Sequence, residues 1–206
     1  MRKHRLAITL LSAGALALAC HAMARQQASP DDGTRTGAGV SAQDESFLRN
    51  ASADGASEVS LGQLALQQSA TPEVHRMAQR IVDDHTRTNR QLAQLAVQEH
   101  VMVPAQPKPA AVEESRKLRA LHGEAFDRAY AQAMVQDHHK AIALFTEASQ
   151  SGNARIRQLA QATLPALNTH LDMAQAIVRM HHAVQSAGQT TAPSPSAHGA
   201  ASSQGD

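Results

Sequence analysis

The sequence predicts an all-α protein, an up-down-up-down four-helix bundle with a short extra helix in the central crossover. Aromatic residues make up only 2% of the 206 residues, which disfavours a β-rich fold, and alanine, leucine and glutamine are abundant. Apolar residues recur at spacings of three and four along four long segments, as in bundle helices. Proline and glycine clusters separate these segments, so each is expected to be one helix.

The N-terminal segment, residues 1–24, resembles a secretory signal peptide. A basic start at Arg2-Lys3-His4-Arg5 precedes an uncharged apolar run from Leu6 to Ala19, which is too short to span a bilayer. Ala22-Met23-Ala24 then offers a small-x-small cleavage site. We therefore expect an exported protein, periplasmic or associated with the outer membrane, whose mature form has no transmembrane helix.

Cys20 leaves a second interpretation open. The segment from Leu16 to Cys20 loosely resembles a lipoprotein cleavage box, although Leu18 stands where a small residue is usual. Lipid attachment at Cys20 is therefore the alternative to cleavage after Ala24, which would leave a mature chain without cysteine. Cleavage after Ala24 also removes three of the 19 basic residues and none of the 18 acidic ones, leaving a formal charge of −2. Without a basic patch, nucleic acid is not an expected partner.

The first two helices follow a polar stretch, residues 25–42, that is rich in Gln, Ser, Gly and Thr and predicts a disordered spacer. Helix one is expected from about Asp44 to Ser69, with Ser41 and Asp44 resembling a capping box. Thr71 then supplies an N-cap and Pro72 the first position of helix two, which continues to about His100. Three prolines make residues 101–112 a linker.

A short helix is expected over residues 113–121, ended by Gly123. Helix three should span about Glu124 to Ser149, and Ser151-Gly152-Asn153 ends it and caps helix four. Helix four is expected over residues 154–182, with a kink at Pro165. The helical domain is thus placed at residues 43–183, followed by a disordered tail at residues 184–206.

Each long helix carries one ionisable residue in the middle of its small or apolar face. Counting from the two turns places these residues in one central layer, with the second pair offset by about one helical turn. The four residues are Glu58, His85, His138 and His170.

Three histidines and a carboxylate suit a divalent transition metal such as Zn, Cu or Fe, and a small ligand is also compatible with the layer. In the alternative interpretation the layer binds no metal, and its hydrogen bonds fix helix register in a structural or protein-interaction module of the cell envelope. Asp84, Asp137 and His139 are candidates for supporting or alternative ligands. Met134 and Met173, one turn from two of the histidines, could offer thioethers.

A short pattern, apolar-Val-x-Asp-His, occurs twice. It ends once at His85 and once at His138. A duplicated helical hairpin would explain the repeat.

Several segments together resemble the bacterial domain of unknown function 4142, over about residues 43–180. The resemblance implies a ferritin-like helical bundle in an exported protein, with an unknown envelope partner, and it implies no activity. Residues 127–139 also resemble a related exported helical family linked to metals and copper stress. The segments that carry the main resemblance are Phe47-Leu48, Glu58-Val59-x-Leu61-Gly62, Ile81-Val82-Asp83-Asp84-His85, Phe126-Asp127-x-Ala129-Tyr130, Met134-Val135-x-Asp137-His138 and Thr163-Leu164-Pro165-x-Leu167-x-x-His170.

The chain departs from ferritin-like di-iron proteins at their ligand positions. Those proteins place a glutamate three residues before each ligating histidine, whereas this chain has Val82, Val135 and Leu167 there. No serine or cysteine nucleophile constellation is present either. The sequence therefore favours a binding protein over an enzyme, and no catalytic residue is assigned.

Overall fold

The structure, a computed structural model, describes residues 40–190, which form five α-helices and no strand within that range. The predicted signal peptide, most of the spacer, and residues 191–206 of the tail lie outside the described residues. The helices are α1 (Ala42–Gln68), α2 (Pro72–Gln98), α3 (Pro109–Arg119), α4 (Gly123–Ala148) and α5 (Ala154–Thr190). None of them combines the length and apolar character that a membrane span requires.

Two of the five helices, α1 and α5, begin at a side-chain N-cap, and two others, α2 and α3, begin with a proline. Ser41 caps α1, because its hydroxyl accepts a hydrogen bond from the Asp44 amide at 3.1 Å. Asn153 caps α5 through its side-chain oxygen, which accepts from the amides of Arg155 and Ile156. Thr71 precedes α2 as predicted but makes no capping bond with its side chain. Its hydroxyl donates to Asp127 on α4 instead.

The last helix is longer than predicted. It continues to Thr190, well past the expected end at His182. Residues 183–190 contain no proline, and the first proline beyond the helix is Pro193. The composition of the tail suggested disorder, but nothing in this added segment stops a helix that is already formed.

Contacts between helix ends fix the direction of each long helix. At one end, Gln43 at the start of α1 donates to Glu147 at the end of α4, at 2.6 Å. Arg155 at the start of α5 contacts Glu99 just after α2, at 3.0 Å. At the other end, Thr71 before α2 meets Asp127 in the second turn of α4. Consequently α1 and α5 run one way, and α2 and α4 run the other way.

This arrangement corrects the up-down-up-down prediction. The four long helices run up-down-down-up, because residues 99–122 cross from one end of the molecule to the other before α4 begins. Val101, at the start of this crossover, is buried with residues of one end, whereas Leu118 in α3 is buried with residues of the opposite end. The sequence correctly predicts a short helix in the crossover, but its prolines do not reveal that the crossover spans the whole length.

The helices surround two separate apolar cores. In space α2 lies beside α1 and α5, and α4 lies beside the same two helices, so α2 and α4 occupy opposite corners. The first core cluster includes Leu61, Leu64, Val74, Met77, Ile81, Leu118, Phe126, Tyr130, Met134 and Ile177. The second core cluster includes Phe47, Leu48, Leu92, Leu95, Ala141, Phe145, Ile156 and Leu167. Every long helix contributes to both clusters, and a polar layer lies between them.

Candidate metal centre

The polar layer consists of the four residues that the sequence places there. Each long helix supplies one of them, at a position between its residues of the first and second core clusters. All four are buried, with residue exposures of 2% for Glu58, 7% for His85 and 0% for both His138 and His170. A group of ionisable side chains this far from solvent must be paired or ligated, because isolated buried charge is costly.

The sequence predicts that His138 and His170 are offset by about one helical turn. In the structure their side chains nevertheless meet, for a geometric reason. Counted along its own helix, His138 lies closer to the turn that connects α4 to α5 than His170 does. Side chains on a helix lean toward its N-terminus. In this antiparallel pair His138 therefore leans away from the connecting turn and His170 leans toward it. The two ring nitrogens, His138 Nε2 and His170 Nδ1, meet at 3.1 Å.

Glu58 is the carboxylate of the cluster. Its Oε2 atom lies 2.7 Å from His85 Nε2 and 3.3 Å from His138 Nε2. Both atoms of the shorter contact are buried, and the contact does not meet the angular criteria of an ideal hydrogen bond. A proton on His85 or a cation bound to both groups would satisfy this pair.

The outer nitrogens of two histidines determine where their lone pairs point. His138 Nδ1 lies 2.9 Å from the carbonyl oxygen of Met134, which can only accept, so Nδ1 carries a proton. His170 Nε2 lies 3.1 Å from the Asp84 carboxylate and carries a proton for the same reason. In the neutral rings, His138 Nε2 and His170 Nδ1 are then unprotonated. Their lone pairs face each other at 3.1 Å, an unfavourable contact unless a proton or a cation lies between them.

The electrostatics favour neutral rings at these two positions. Burial lowers the pKa of His138 below its usual value. Burial, together with the charges of the other two histidines, lowers the pKa of His170 to about 4. Near neutral pH the lowered pKa values favour unprotonated nitrogens on both rings, and a metal cation bound to both nitrogens would relieve the repulsion between their lone pairs.

Glu58 and His85 behave as an ion pair. Burial alone would raise the pKa of Glu58, but the combined attraction of the histidines, led by His85, lowers it to about 2. Burial would likewise lower the pKa of His85, but the Glu58 carboxylate outweighs it and raises the pKa. A metal ion that binds here would displace the proton of His85.

The donor set fits one small divalent ion. The ligand atoms of His85, His138 and His170 all lie within 4.8 Å of one another. Two ligands of a tetrahedral zinc ion, each about 2.0–2.2 Å from it, are about 3.3–3.6 Å apart. Three donor contacts, of 2.7, 3.1 and 3.3 Å, are at or below this value, and the histidine donors all lie within 4.8 Å of one another, so the side chains must shift to hold one ion.

The other predicted residues divide into two groups. Asp84 supports the cluster directly, because it accepts from His170 and is itself held by Arg80 and Arg87, each at 2.9 Å. Such a carboxylate fixes the orientation of a ligating imidazole. The described structure does not bring the remaining residues into the cluster as ligands. Asp137 pairs with Lys140 at 3.0 Å, His139 is exposed, and Met134 and Met173 lie in or against the first core cluster.

Tyr130 is a neighbour of the site that the ligand search in the sequence did not single out. Its hydroxyl is buried without a hydrogen-bond partner in the described structure. Burial raises the pKa of Tyr130, and the negative charge of Glu58 raises it further, which places the two groups within electrostatic reach. Its position two turns before His138, on the same helical stripe, is the signal that could have indicated it.

Comparison with protein families gives one match. The family model described as "Domain of unknown function (DUF4142)" matches residues 29–177. No curated protein matches the chain.

Solved structures with similar folds come from other helical proteins. A DUF305 fragment from Deinococcus radiodurans has a TM-score of 0.62 at 15% identity, covering 69% of this chain and 99% of the fragment. A candidate secreted DUF305 protein from Streptomyces coelicolor has a TM-score of 0.60 at 15% identity, and the match covers 68% of this chain and 94% of that protein. CopM in its Cu(II)-bound form has a TM-score of 0.58 at 17% identity, and the match covers 66% of this chain and 95% of CopM. At these identities the similarity establishes a shared fold.

Proposed function

The chain belongs to the DUF4142 family, whose description names no function, and we propose that this member is an exported protein that binds one divalent transition metal ion. The ligands are Glu58, His85, His138 and His170. The ion is Zn²⁺, Cu²⁺ or Fe²⁺, each of which accepts imidazole and carboxylate ligands.

One observation carries the proposal. The outer nitrogens of His138 and His170 are hydrogen-bonded to acceptors, so that their unprotonated nitrogens face each other at 3.1 Å in a buried layer. Histidines that ligate metals in proteins are oriented in this way, with the second ring nitrogen donating to a carbonyl or a carboxylate. The Oε2 atom of Glu58 adjoins the same point, at 3.3 Å from His138 Nε2.

The connectivity supports a ferritin-like bundle. Ferritin-like folds have one long crossover connection among four helices, and residues 99–122 provide such a connection here. The ligand set is nevertheless different from a di-iron site, because the layer has a single carboxylate. We therefore expect one ion per chain, held for binding and not for oxygen chemistry.

Copper is among the candidate ions because CopM, which shares the fold, has structures in Cu(II)-bound and Ag-bound forms. At 17% and 18% identity this similarity carries no ligand assignment to the present chain. The ion must therefore be identified by titration.

The proposal is tested by metal titration of the exported protein, purified without a histidine tag. We expect one equivalent of metal to bind, and we expect His138→Ala to weaken binding at least 100-fold because it removes a central ligand. His139→Ala is the matched control, since it removes the adjacent, exposed histidine on the same helix. Equal affinities for the two variants would refute the site.

Export to the periplasm or outer membrane rests on the signal-like segment at residues 1–24. The candidate secreted DUF305 protein from Streptomyces coelicolor is consistent with it. Mass spectrometry of the envelope fraction distinguishes the two processed forms. A mature chain that begins at Arg25 indicates plain cleavage, a lipidated N-terminal Cys20 indicates an anchor, and an uncleaved cytoplasmic chain would contradict export.

A second candidate function is a structural or protein-interaction module of the cell envelope. It is favoured by two side-chain contacts that join different helices without any metal, the His85–Glu58 ion pair at 2.7 Å and the hydrogen bond from His170 to Asp84 at 3.1 Å. These pairs could fix helix register alone. If none of the three metals binds or raises the melting temperature, this function becomes the leading one.

A further inference from the structure

A cavity of about 610 Å³ lies between α1, α3 and α4, and Glu58 forms part of its wall. Its volume is in the range of natural ligand sites. The two aspartates of the repeated pattern have different partners on the two sides of the layer. On the opposite side Asp84 of α2 binds His170 of α5, whereas the equivalent Asp137 of α4 faces α1, whose residue in the layer is another carboxylate. Asp137 therefore makes no inward hydrogen bond in the described structure and lines the cavity.

The wall of the cavity carries an excess of negative charge. Its carboxylates are Asp54, Glu58, Glu114 and Asp137, and its two cationic side chains are those of Lys108 and Lys140. Three of the carboxylates are about one-third exposed, with side-chain exposures of 38%, 36% and 35%, whereas the Glu58 side chain is 3% exposed. The cavity thus joins carboxylates near solvent to the one buried carboxylate of the metal site.

In the structure, lysines form ion pairs with the three partly exposed carboxylates of the cavity wall. Lys108 lies 2.6 Å from Asp54, and Lys140 lies 3.0 Å from Asp137. Lys117 lies 3.8 Å from Glu114. Exposed ion pairs of this kind contribute about 0–1 kcal/mol, so an arriving cation can readily replace the lysines.

We propose that this cavity is the access route by which a divalent cation reaches the buried site, with Asp54, Glu114 and Asp137 attracting the ion and Glu58 receiving it. The inference rests on the proposed metal-binding function and adds the route to it. Glu58 links the two regions, because its side chain lines the cavity and its Oε2 atom lies 2.7 Å from His85 Nε2 in the layer. The charge excess favours a cation over an anion, which the two lysines would otherwise attract.

The route predicts a kinetic effect that differs from the effect of losing a ligand. Ala133 is a small, half-buried residue of α4 in the cavity wall, and Ala133→Leu narrows the cavity without touching a ligand. Narrowing a route slows entry and exit by the same factor, so the dissociation constant stays the same. Ala125→Leu is the matched control, because Ala125 is an exposed alanine of the same helix.

The charges predict a second effect. Glu114→Gln removes one carboxylate of the wall, whereas Glu113→Gln removes its neighbour on α3, which pairs with Arg116 and does not line the cavity. We expect Glu114→Gln to slow association about two- to fivefold at low ionic strength and less at high ionic strength, because salt screens steering. Glu113→Gln should leave the rate near that of the wild type.

The experiment is stopped-flow mixing of the exported protein with Cu²⁺, observed by quenching of Tyr130, the single tyrosine of a chain without tryptophan. The expected result is slower uptake and release by Ala133→Leu than by Ala125→Leu, with an unchanged dissociation constant, and slower uptake by Glu114→Gln than by Glu113→Gln. Equal rates for Ala133→Leu and Ala125→Leu, or for Glu114→Gln and Glu113→Gln, would overturn the route while the metal site stands. If Ala133→Leu does not fold, the comparison of Glu114→Gln with Glu113→Gln tests the route. If the wild type binds Zn²⁺ or Fe²⁺ but not Cu²⁺, the mixing is done with that ion, and absence of binding for all three ions would overturn the proposed function and the route together.

Discussion

His138 is the residue on which the layer converges. Its Nε2 atom contacts both His170 and Glu58, and its Nδ1 atom is fixed by the Met134 carbonyl one turn earlier on α4. The sequence could identify His138 and the other three residues because each interrupts an otherwise apolar stripe. The sequence could not predict that Asp84 supports His170 whereas Asp137 supports no histidine. This difference depends on which side chain of the neighbouring helix faces each aspartate.

Asp84 gives a prediction at this scale. Asp84→Asn keeps the shape of the side chain but weakens its hold on the His170 ring, so we expect metal affinity to fall about 10–100-fold, as for other residues that orient metal ligands. Asp83→Asn is the control, since Asp83 is exposed and contacts Gln79. Isothermal titration with the preferred metal measures both, and equal affinities would contradict the supporting role of Asp84.

The shifted pKa values predict how the stability of the metal-free protein depends on pH. His170 has a folded pKa of about 4 against 6.5 when unfolded, so between these values the unfolded chain binds a proton that the folded chain does not. The free energy of unfolding therefore falls as the pH is lowered from 6.5 to 4. Glu58, at about 2 against 4.5, continues the loss below pH 4.5.

His85 acts in the opposite direction, because its raised pKa gives stability below pH 6.5 that is lost as the pH rises through the folded value. Urea unfolding between pH 4 and 8 measures the profile. The His170→Gln variant, which cannot titrate at this position, should have a shallower slope from pH 4 to 6.5. His182→Ala, an exposed histidine of the same helix, should keep the slope of the wild type.

At the scale of helices, close packing of α1 on α2 sets the approach of Glu58 to His85. A Cβ atom on Gly62 would lie 2.8 Å from Val82 Cγ2 and 3.3 Å from the Ala78 carbonyl oxygen, so the two helices meet there nearly backbone to backbone. This glycine lies one turn from Glu58, and the tight contact keeps the first hairpin in register.

Gly62→Ala should therefore destabilise the protein by about 1–3 kcal/mol through overpacking, partly offset by the higher helix propensity of alanine. The control is Gly152→Ala, since a Cβ atom there would meet nothing within 4 Å. Urea unfolding compares them. If the Gly62→Ala protein is as stable as the Gly152→Ala protein, α1 and α2 can move apart without a loss in the free energy of unfolding.

Helix order also explains what the repeat can and cannot mean. The two copies of the apolar-Val-x-Asp-His pattern lie on α2 and α4, which run in the same direction at opposite corners. Helix α2 is the second helix of its hairpin, whereas α4 is the first helix of its own hairpin. Tandem duplication of a hairpin therefore does not account for the pattern. What the copies share is a position: each presents its histidine to the central layer from the same direction.

For the whole molecule, metal binding at the proposed site should stabilise the fold, because each of the four long helices supplies one of the proposed ligands. A ligand at 100 times its dissociation constant adds about 2.7 kcal/mol to the free energy of unfolding when it binds only the folded state. We expect the preferred metal to produce such an increase in urea unfolding of the wild type. The His85→Ala/His138→Ala double variant should show none, and an equal increase in that variant would indicate binding elsewhere.

The course of the crossover is the feature of the whole molecule that the sequence did not predict. Helix lengths, turns and the central layer follow from local patterns of residues. The direction of α4 depends on how far residues 99–122 travel, and a proline-rich segment with a short helix is compatible with either outcome. Contacts between distant residues, such as Thr71 with Asp127, determine it.

The division of ligands between the hairpins has a consequence for proteolysis. The α1–α2 hairpin carries Glu58 and His85, and the α4–α5 hairpin carries His138 and His170, so each half alone has only two of the four proposed ligands. The unbroken crossover keeps the two halves at a high effective concentration. A single cut within it would remove that advantage, so a fully coordinated ion would be characteristic of an intact chain.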